Sequence, residues 1–214
     1  MRPPLFTATL LSSLLIATSS SFASIEFFLG NGPFTTAVNN AGLDLENILV
    51  NKDEVGLIVD GLTNTTNVLF DIMGNQSLTN TANGQATVEG TDGPFTSAMI
   101  FAHDAGVTFQ ALEFTVTPEA KAGGTYTLEV FGNFPSGPTT SFTFATSNPQ
   151  FVGVVATDGM LINKVSFTSS TPNNIADMKH IRVAGVEEAV IPEPASVAVW
   201  GLILAAGAIW YRFK

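Results

Sequence analysis

Phe109-Gln110-Ala111-Leu112-Glu113-Phe114-Thr115-Val116 is the stretch that decides the fold. Successive side chains on a β-strand point to opposite sides, so Gln110, Leu112, Phe114 and Val116 share one face. Glu113 falls on the other face, which the alternation makes the solvated one. Tyr126, Leu128 and Val130 repeat the pattern with Glu129 on the polar side, and Phe142 and Phe144 stand together opposite Thr143.

Working outward, further runs of this kind are Ile25–Leu29, Glu46–Val50, Val55–Val59, Val68–Met73, Gln85–Glu89, Ala98–Ala102, Phe151–Ala156, Lys164–Thr168 and Ile181–Val186. Turn chemistry separates them: Asn83-Gly84, Asp92-Gly93-Pro94, Gly123-Gly124, Pro135-Ser136-Gly137-Pro138 and Asp158-Gly159. Only Thr35–Leu49 is ambiguous, and one short helix there would not change the class. Many short strands between such turns predict an all-β protein, an antiparallel β-sandwich of jelly-roll-like type, over residues 24–188. Cysteine is absent, so the core works without disulfides, and 17 phenylalanines supply most of its aromatic area. Gly32-Pro33-Phe34-Thr35-Thr36-Ala37-Val38 echoes Gly93-Pro94-Phe95-Thr96-Ser97-Ala98-Met99, and Asp71–Asn75 echoes Glu129–Asn133. Two copies do not establish a repeat.

Both ends differ from this middle. Residues 1–23 carry one basic residue, Arg2, then the apolar stretch Leu5–Ala17, then Ser21-Phe22-Ala23. Small residues at −3 and −1 make this a signal peptide cleaved between Ala23 and Ser24, which implies the Sec translocon and signal peptidase as partners. At the other end, residues 189–214 place Pro192-Glu193-Pro194 before an uncharged run at 195–211 and the basic residues Arg212 and Lys214. Seventeen helical residues span about 26 Å, close to the ~30 Å hydrocarbon core, so 195–211 is a candidate single transmembrane helix. Trp200 lies within the run; Trp210 and Tyr211 end it, where amphipathic rings favour the headgroup layer, and the positive-inside bias keeps Arg212 and Lys214 cytoplasmic. The prolines force Ile191 and Glu193 extended, which isolates the triplet as a stiff strip ahead of the helix.

The order of triplet, span and basic tail over Val190–Lys214 resembles the PEP-CTERM sorting signal of exported Gram-negative proteins. The resemblance implies that an exosortase recognises Pro192-Glu193-Pro194 and removes the helix. The family often ends in several arginines; here Phe213 separates just two basic residues. The stretch from Phe151 to Val186, with Asp177 followed by Ile181-Arg182-Val183, is also similar to the closing strands of many PEP-CTERM passengers and resembles jelly-roll, carbohydrate-binding-like folds.

Between the two ends, 17 acidic residues face five basic ones, a net charge of −12 that argues against nucleic acid or anionic lipid as partners. Nucleophilic catalysis is poorly supplied. The only histidines are His103 and His180, no Gly-x-Ser-x-Gly elbow is present, and the neighbours His103 and Asp104 point to opposite faces of a strand. Glu113 and Glu129 read as solvated rather than as a hydrolytic pair. Jelly-roll modules often hold a structural calcium between the first strand and the approach to the last, which nominates Glu26 and Asp177 as metal ligands. Glycan platforms are scarce, because no Trp lies between the two ends and the phenylalanines read as core.

The sequence therefore predicts a non-enzymatic exported protein with no required cofactor. It is anchored transiently in the inner membrane, then placed at the cell surface or outside the cell, with a structural or adhesive role in exopolysaccharide or biofilm. The alternative is a carbohydrate-binding module of jelly-roll type, calcium-stabilised in one version. Replacing both prolines, Pro192→Ala/Pro194→Ala, is expected to leave the full-length chain in the inner-membrane fraction, as read by fractionation and immunoblot against the unaltered protein.

Overall fold

The computed structural model describes residues 24–51, 54–80, 84–119, 123–134 and 139–187. In chain order these form β1 (Ile25–Phe28), α1 (Asn31–Asn40), β2 (Leu45–Val50), β3 (Val55–Thr63), β4 (Leu69–Asn80), β5 (Gly84–Gln85) and β6 (Thr87–Gly90). There follow β7 (Ser97–Ala102), β8 (Ala111–Pro118), β9 (Gly124–Gly132), β10 (Thr139–Thr146), β11 (Gln150–Ala156), β12 (Ile162–Ser169) and β13 (Ile175–Ala184). The proposed signal peptide, the Pro192-Glu193-Pro194 triplet and the 195–211 span lie outside the described residues.

Each of the twelve alternating or apolar runs lies on strand, and every strand pairing is antiparallel. The hydrogen-bonded path runs β1-β11-β8-β13-β2-β3-β4-β7-β12-β9-β10, with β5 on β2 and β6 bridging β13 and β4. This path folds back on itself into two layers. Phe27 on β1 and Phe142 on β10, at its opposite ends, stack at 5.3 Å between ring centroids. Phe114 on the front layer (β1, β11, β8, β13) meets Phe167 on the back layer (β4, β7, β12, β9, β10) edge-on at 5.2 Å. Leu112, Phe114 and Val116 point into this core, as their alternation requires. Tyr126 is fully buried and its polar tip is satisfied: the hydroxyl donates to the Asn174 carbonyl at 3.1 Å, and the Asn174 amide donates to the hydroxyl at 3.0 Å.

A bulge makes β13 longer than its apolar run. Its register on β8 shifts between Lys179 and Arg182, where His180 adopts φ 56 and its N–H bonds the Ala86 carbonyl at 3.1 Å. The shift lets one side of β13 pair first with β6 and then with β2. Both ends of the described chain lie at one end of the layers. Thr157 donates to the Ser24 carbonyl, Ala156 to Gln110 and Gln110 to Ala184, while Glu187 bridges Thr108.

The ambiguous segment resolves into α1 and β2. Pro33 fits the first helical turn, where an N–H has no partner to lose. The helix lays Phe34 and Val38 on Ala111, Val155 and Ala184, on the outside of the front layer. Phe34 lies over Gly153, where a Cβ would stand 2.4 Å from its ring, and touches Phe28 and Phe151. The echo of this segment, Gly93–Met99, is turn and strand, so the shared residues do not mark a repeated structure.

Covering the outer face overturns the expectation of a solvated Glu113. It is 1 % exposed and ion-paired to Arg182, which stands opposite it in the β8–β13 register. Burial lowers the pKa of the Arg182 guanidinium. Removing one member strands the other, so Glu113→Ala should cost about 3 kcal/mol, whereas Glu113→Leu/Arg182→Met should recover most of it. Urea denaturation midpoints of the two variants against the unaltered protein check this.

Candidate functional site

The back layer has no such cover: among the described residues no helix packs on its outer face. Antiparallel register sets the outward side chains of β3, β4, β7, β12, β9 and β10 into rows. One row is Asp60, Asp71, Phe101, Lys164, Phe131 and Thr139. The next is Ile58, Met73, Met99, Ser166, Glu129 and Ser141, which places Glu129 on this half-buried outer face. A third, Ser97, Thr168, Thr127 and Thr143, is all hydroxyl, with Thr127 and Thr143 bonded at 3.1 Å. The face thus grades from apolar to hydroxylated across six strands, with exposed Leu49, Leu62 and Ile58 at the apolar side.

Phe101 and Phe131 are both partly exposed and sit two strands apart, about 10 Å at ~4.8 Å per strand. Lys164 lies between them, its Nζ 4.2 Å from the centre of the Phe131 ring. Where the row meets the β7–β8 loop, these three residues and Asp104–Val107 line a groove of about 380 Å³.

His103 closes the row on β4's side. Its Nδ1 lies 2.9 Å from Oδ1 of Asp71, and the ring is 52 % exposed while the carboxylate is nearly buried. The sequence pairs His103 with neighbouring Asp104; the fold gives it Asp71, 32 residues away, because β4 and β7 are adjacent. The hydrogen bond that the imidazole donates to Asp71, then the carboxylate's charge, raise the imidazole pKa above its ordinary value, with Asp104 and Asp60 adding smaller pulls. No serine hydroxyl bonds to the imidazole among the described residues, so the pair does not form a triad.

The residues nominated for calcium are not brought together. Glu26 pairs with Val155 and so aligns with Ala111 and Ala184, whereas Asp177 pairs with Thr117. Two strands, β11 and β8, lie between theirs, and six residues of β8 separate the two levels. That is about 14 Å across the sheet and about 20 Å along it. Asp177 instead bonds Lys179 at 3.0 Å. Glu26 reaches a different feature, a cleft of about 670 Å³ between α1, β1 and the β11–β12 turn, which it shares with Asp158. Ser24, the expected first residue after cleavage, is held to Thr157. Ala23, Pro192, Glu193, Pro194, Trp200, Trp210, Tyr211, Arg212 and Lys214 lie outside the described residues.

Neither a protein-family model nor a curated protein matches the chain. Two solved structures resemble it distantly. One is a mutant of a family 29 carbohydrate-binding module made to probe ligand recognition, 14% identical, with a TM-score of 0.39, covering 67% of this chain and 92% of that one. The other is a family 27 carbohydrate-binding module that recognises mannan, 9% identical, with a TM-score of 0.28, covering 75% of this chain and 98% of that one.

Because the folded-state pKa of His103 is raised, its pairing with Asp71 stabilises the fold fully below the unfolded value near 6.5 and loses that contribution as pH rises through the folded pKa. Asp71→Asn should bring the His103 titration, followed by NMR of the imidazole protons, down towards the unperturbed value and flatten the pH dependence of melting across that window.

Proposed function

We propose that this chain is an exported, non-catalytic surface protein that holds polysaccharide on the open face of its back layer. The observation that supports this most directly is the row Asp71, Phe101, Lys164 and Phe131, set across four adjacent strands with no described element over it. An extended glycan needs apolar surface for the C–H faces of its rings and paired donors and acceptors for its hydroxyls. Two phenylalanines a disaccharide apart supply the first, and Lys164, Glu129 and the Ser/Thr row supply the second. The acidic balance of the chain favours an uncharged polymer.

Export and sorting complete the reading. The signal peptide ending at Ala23 delivers the chain, the 195–211 helix parks it in the inner membrane, and exosortase acts at Pro192-Glu193-Pro194. The support for these steps is the order of segments in the sequence. A purely structural surface role is the second reading, favoured by the apolar side of the face around Ile58, Leu49 and Leu62, which suits protein contact as well as sugar.

Affinity electrophoresis of the full-length protein in gels containing neutral polysaccharides tests the first reading. Phe101→Ala and Phe131→Ala should each weaken retardation about tenfold, the loss expected for one stacking aromatic of roughly 1.4 kcal/mol. Unchanged mobility of the parent protein in every neutral gel would leave only the structural role.

A further inference from the structure

The cleft beside α1 shares no lining residue with the groove on the open face. At about 670 Å³ it falls within the range of small-molecule sites, roughly 300–1,000 Å³. Its lining is mixed rather than merely acidic. Glu26 and Asp158 supply carboxylates, Asn40 and Gln110 carboxamides, Thr36 a hydroxyl, and the half-buried Phe28 an aromatic wall. Glu26 and Asn40 make no hydrogen bond or ion pair through their side chains with other described residues, so their polar atoms are available to a ligand. Gln110 is already oriented, its amide donating to Glu187 at 3.1 Å.

Three features narrow the ligand. No Lys, Arg or His lines the cleft, and the negative end of the α1 dipole lies there, at Asn40 and Ala41, so an anion is disfavoured. A bare divalent cation is poorly served, because two carboxylates fall short of the six to eight oxygens calcium takes, and no group of three or more acidic or imidazole side chains gathers among the described residues. The lining suits a ligand rich in hydroxyls with one apolar face. Carboxylates accept from hydroxyls, carboxamides both donate and accept, and Phe28 takes the ring's C–H side. The walls are set before binding, since α1 is fixed by Phe34 on Gly153 and β1 by its ladder to β11.

We propose that this cleft is a second saccharide site, which takes an uncharged sugar residue and is independent of the open face. Isothermal titration of the full-length protein in a sugar-free detergent such as lauryldimethylamine oxide, with mannotetraose, cellotetraose and a guluronate tetramer, tests it. A neutral tetrasaccharide should bind and the guluronate should not. Glu26→Ala and Asn40→Ala should each weaken binding about tenfold, as for loss of a hydrogen bond to the ligand. Thr36→Trp, at an exposed helix position that folding tolerates, should block it, and Asp92→Ala in a distant turn should not. Binding that falls with Phe131→Ala but not with Glu26→Ala or Thr36→Trp would assign the sugar to the open face and overturn the proposal. So would equal binding of guluronate, or no neutral tetrasaccharide bound at millimolar concentration.

Discussion

Phe34 rests on Gly153 so closely that no other residue type fits beneath it, and the rest of the molecule follows from that contact. A two-layer β structure has two outer faces to dispose of. Here the front face is closed by a ten-residue helix pinned through one ring, with Phe28 and Phe151 packed round it. On this face Glu113 is drawn out of water and paired with the partly exposed Arg182. Closing the front face also leaves the back face as the broad surface on which function can be built, and it forms the wall of the cleft that Glu26 enters.

Between the layers, aromatic rings fill the core of a chain that has no cysteine. Tyr126, Phe144 and Phe167 stack on one another, and Phe167 carries the contact across to Phe114. Phe27 against Phe142 seals the side where β1 and β10 are not hydrogen-bonded to each other. Rings bury large area with few polar atoms to satisfy, and the single buried hydroxyl among them has its partner in Asn174.

Strand positions were legible because alternation is a local property: Leu112, Phe114 and Val116 report their shared face without knowledge of any neighbour. What covers a face is not local. Glu113 reads as solvated from its own strand, yet it is buried beside Gly153, over which α1, some seventy residues earlier in the chain, lays Phe34, and against Arg182 on the next strand. The open face is hidden for the complementary reason, since phenylalanine in such runs reads as core. A signal was present: Val130 is followed directly by Phe131, and Ile100 by Phe101, so one of each pair has to point outward. The start of β13 was hidden because Asp177, Lys179 and His180 interrupt its apolar pattern, and the bulge at His180 shifts its register. The calcium pair failed as a pair because strand order is non-local, and Glu26 and Asp177 belong to strands that never adjoin.

The bridge between Thr108 and Glu187 fixes where the described chain leaves the sheet, directly after β13, a strand flanked by β8 on one side and by β6 and β2 on the other. Tension entering through residue 187 therefore pulls β13 lengthwise between two ladders. Hydrogen bonds loaded in this shearing direction yield together and not one after another as in an unzipping hairpin. The domain is thus braced along the axis on which a load applied at residue 187 would strain it.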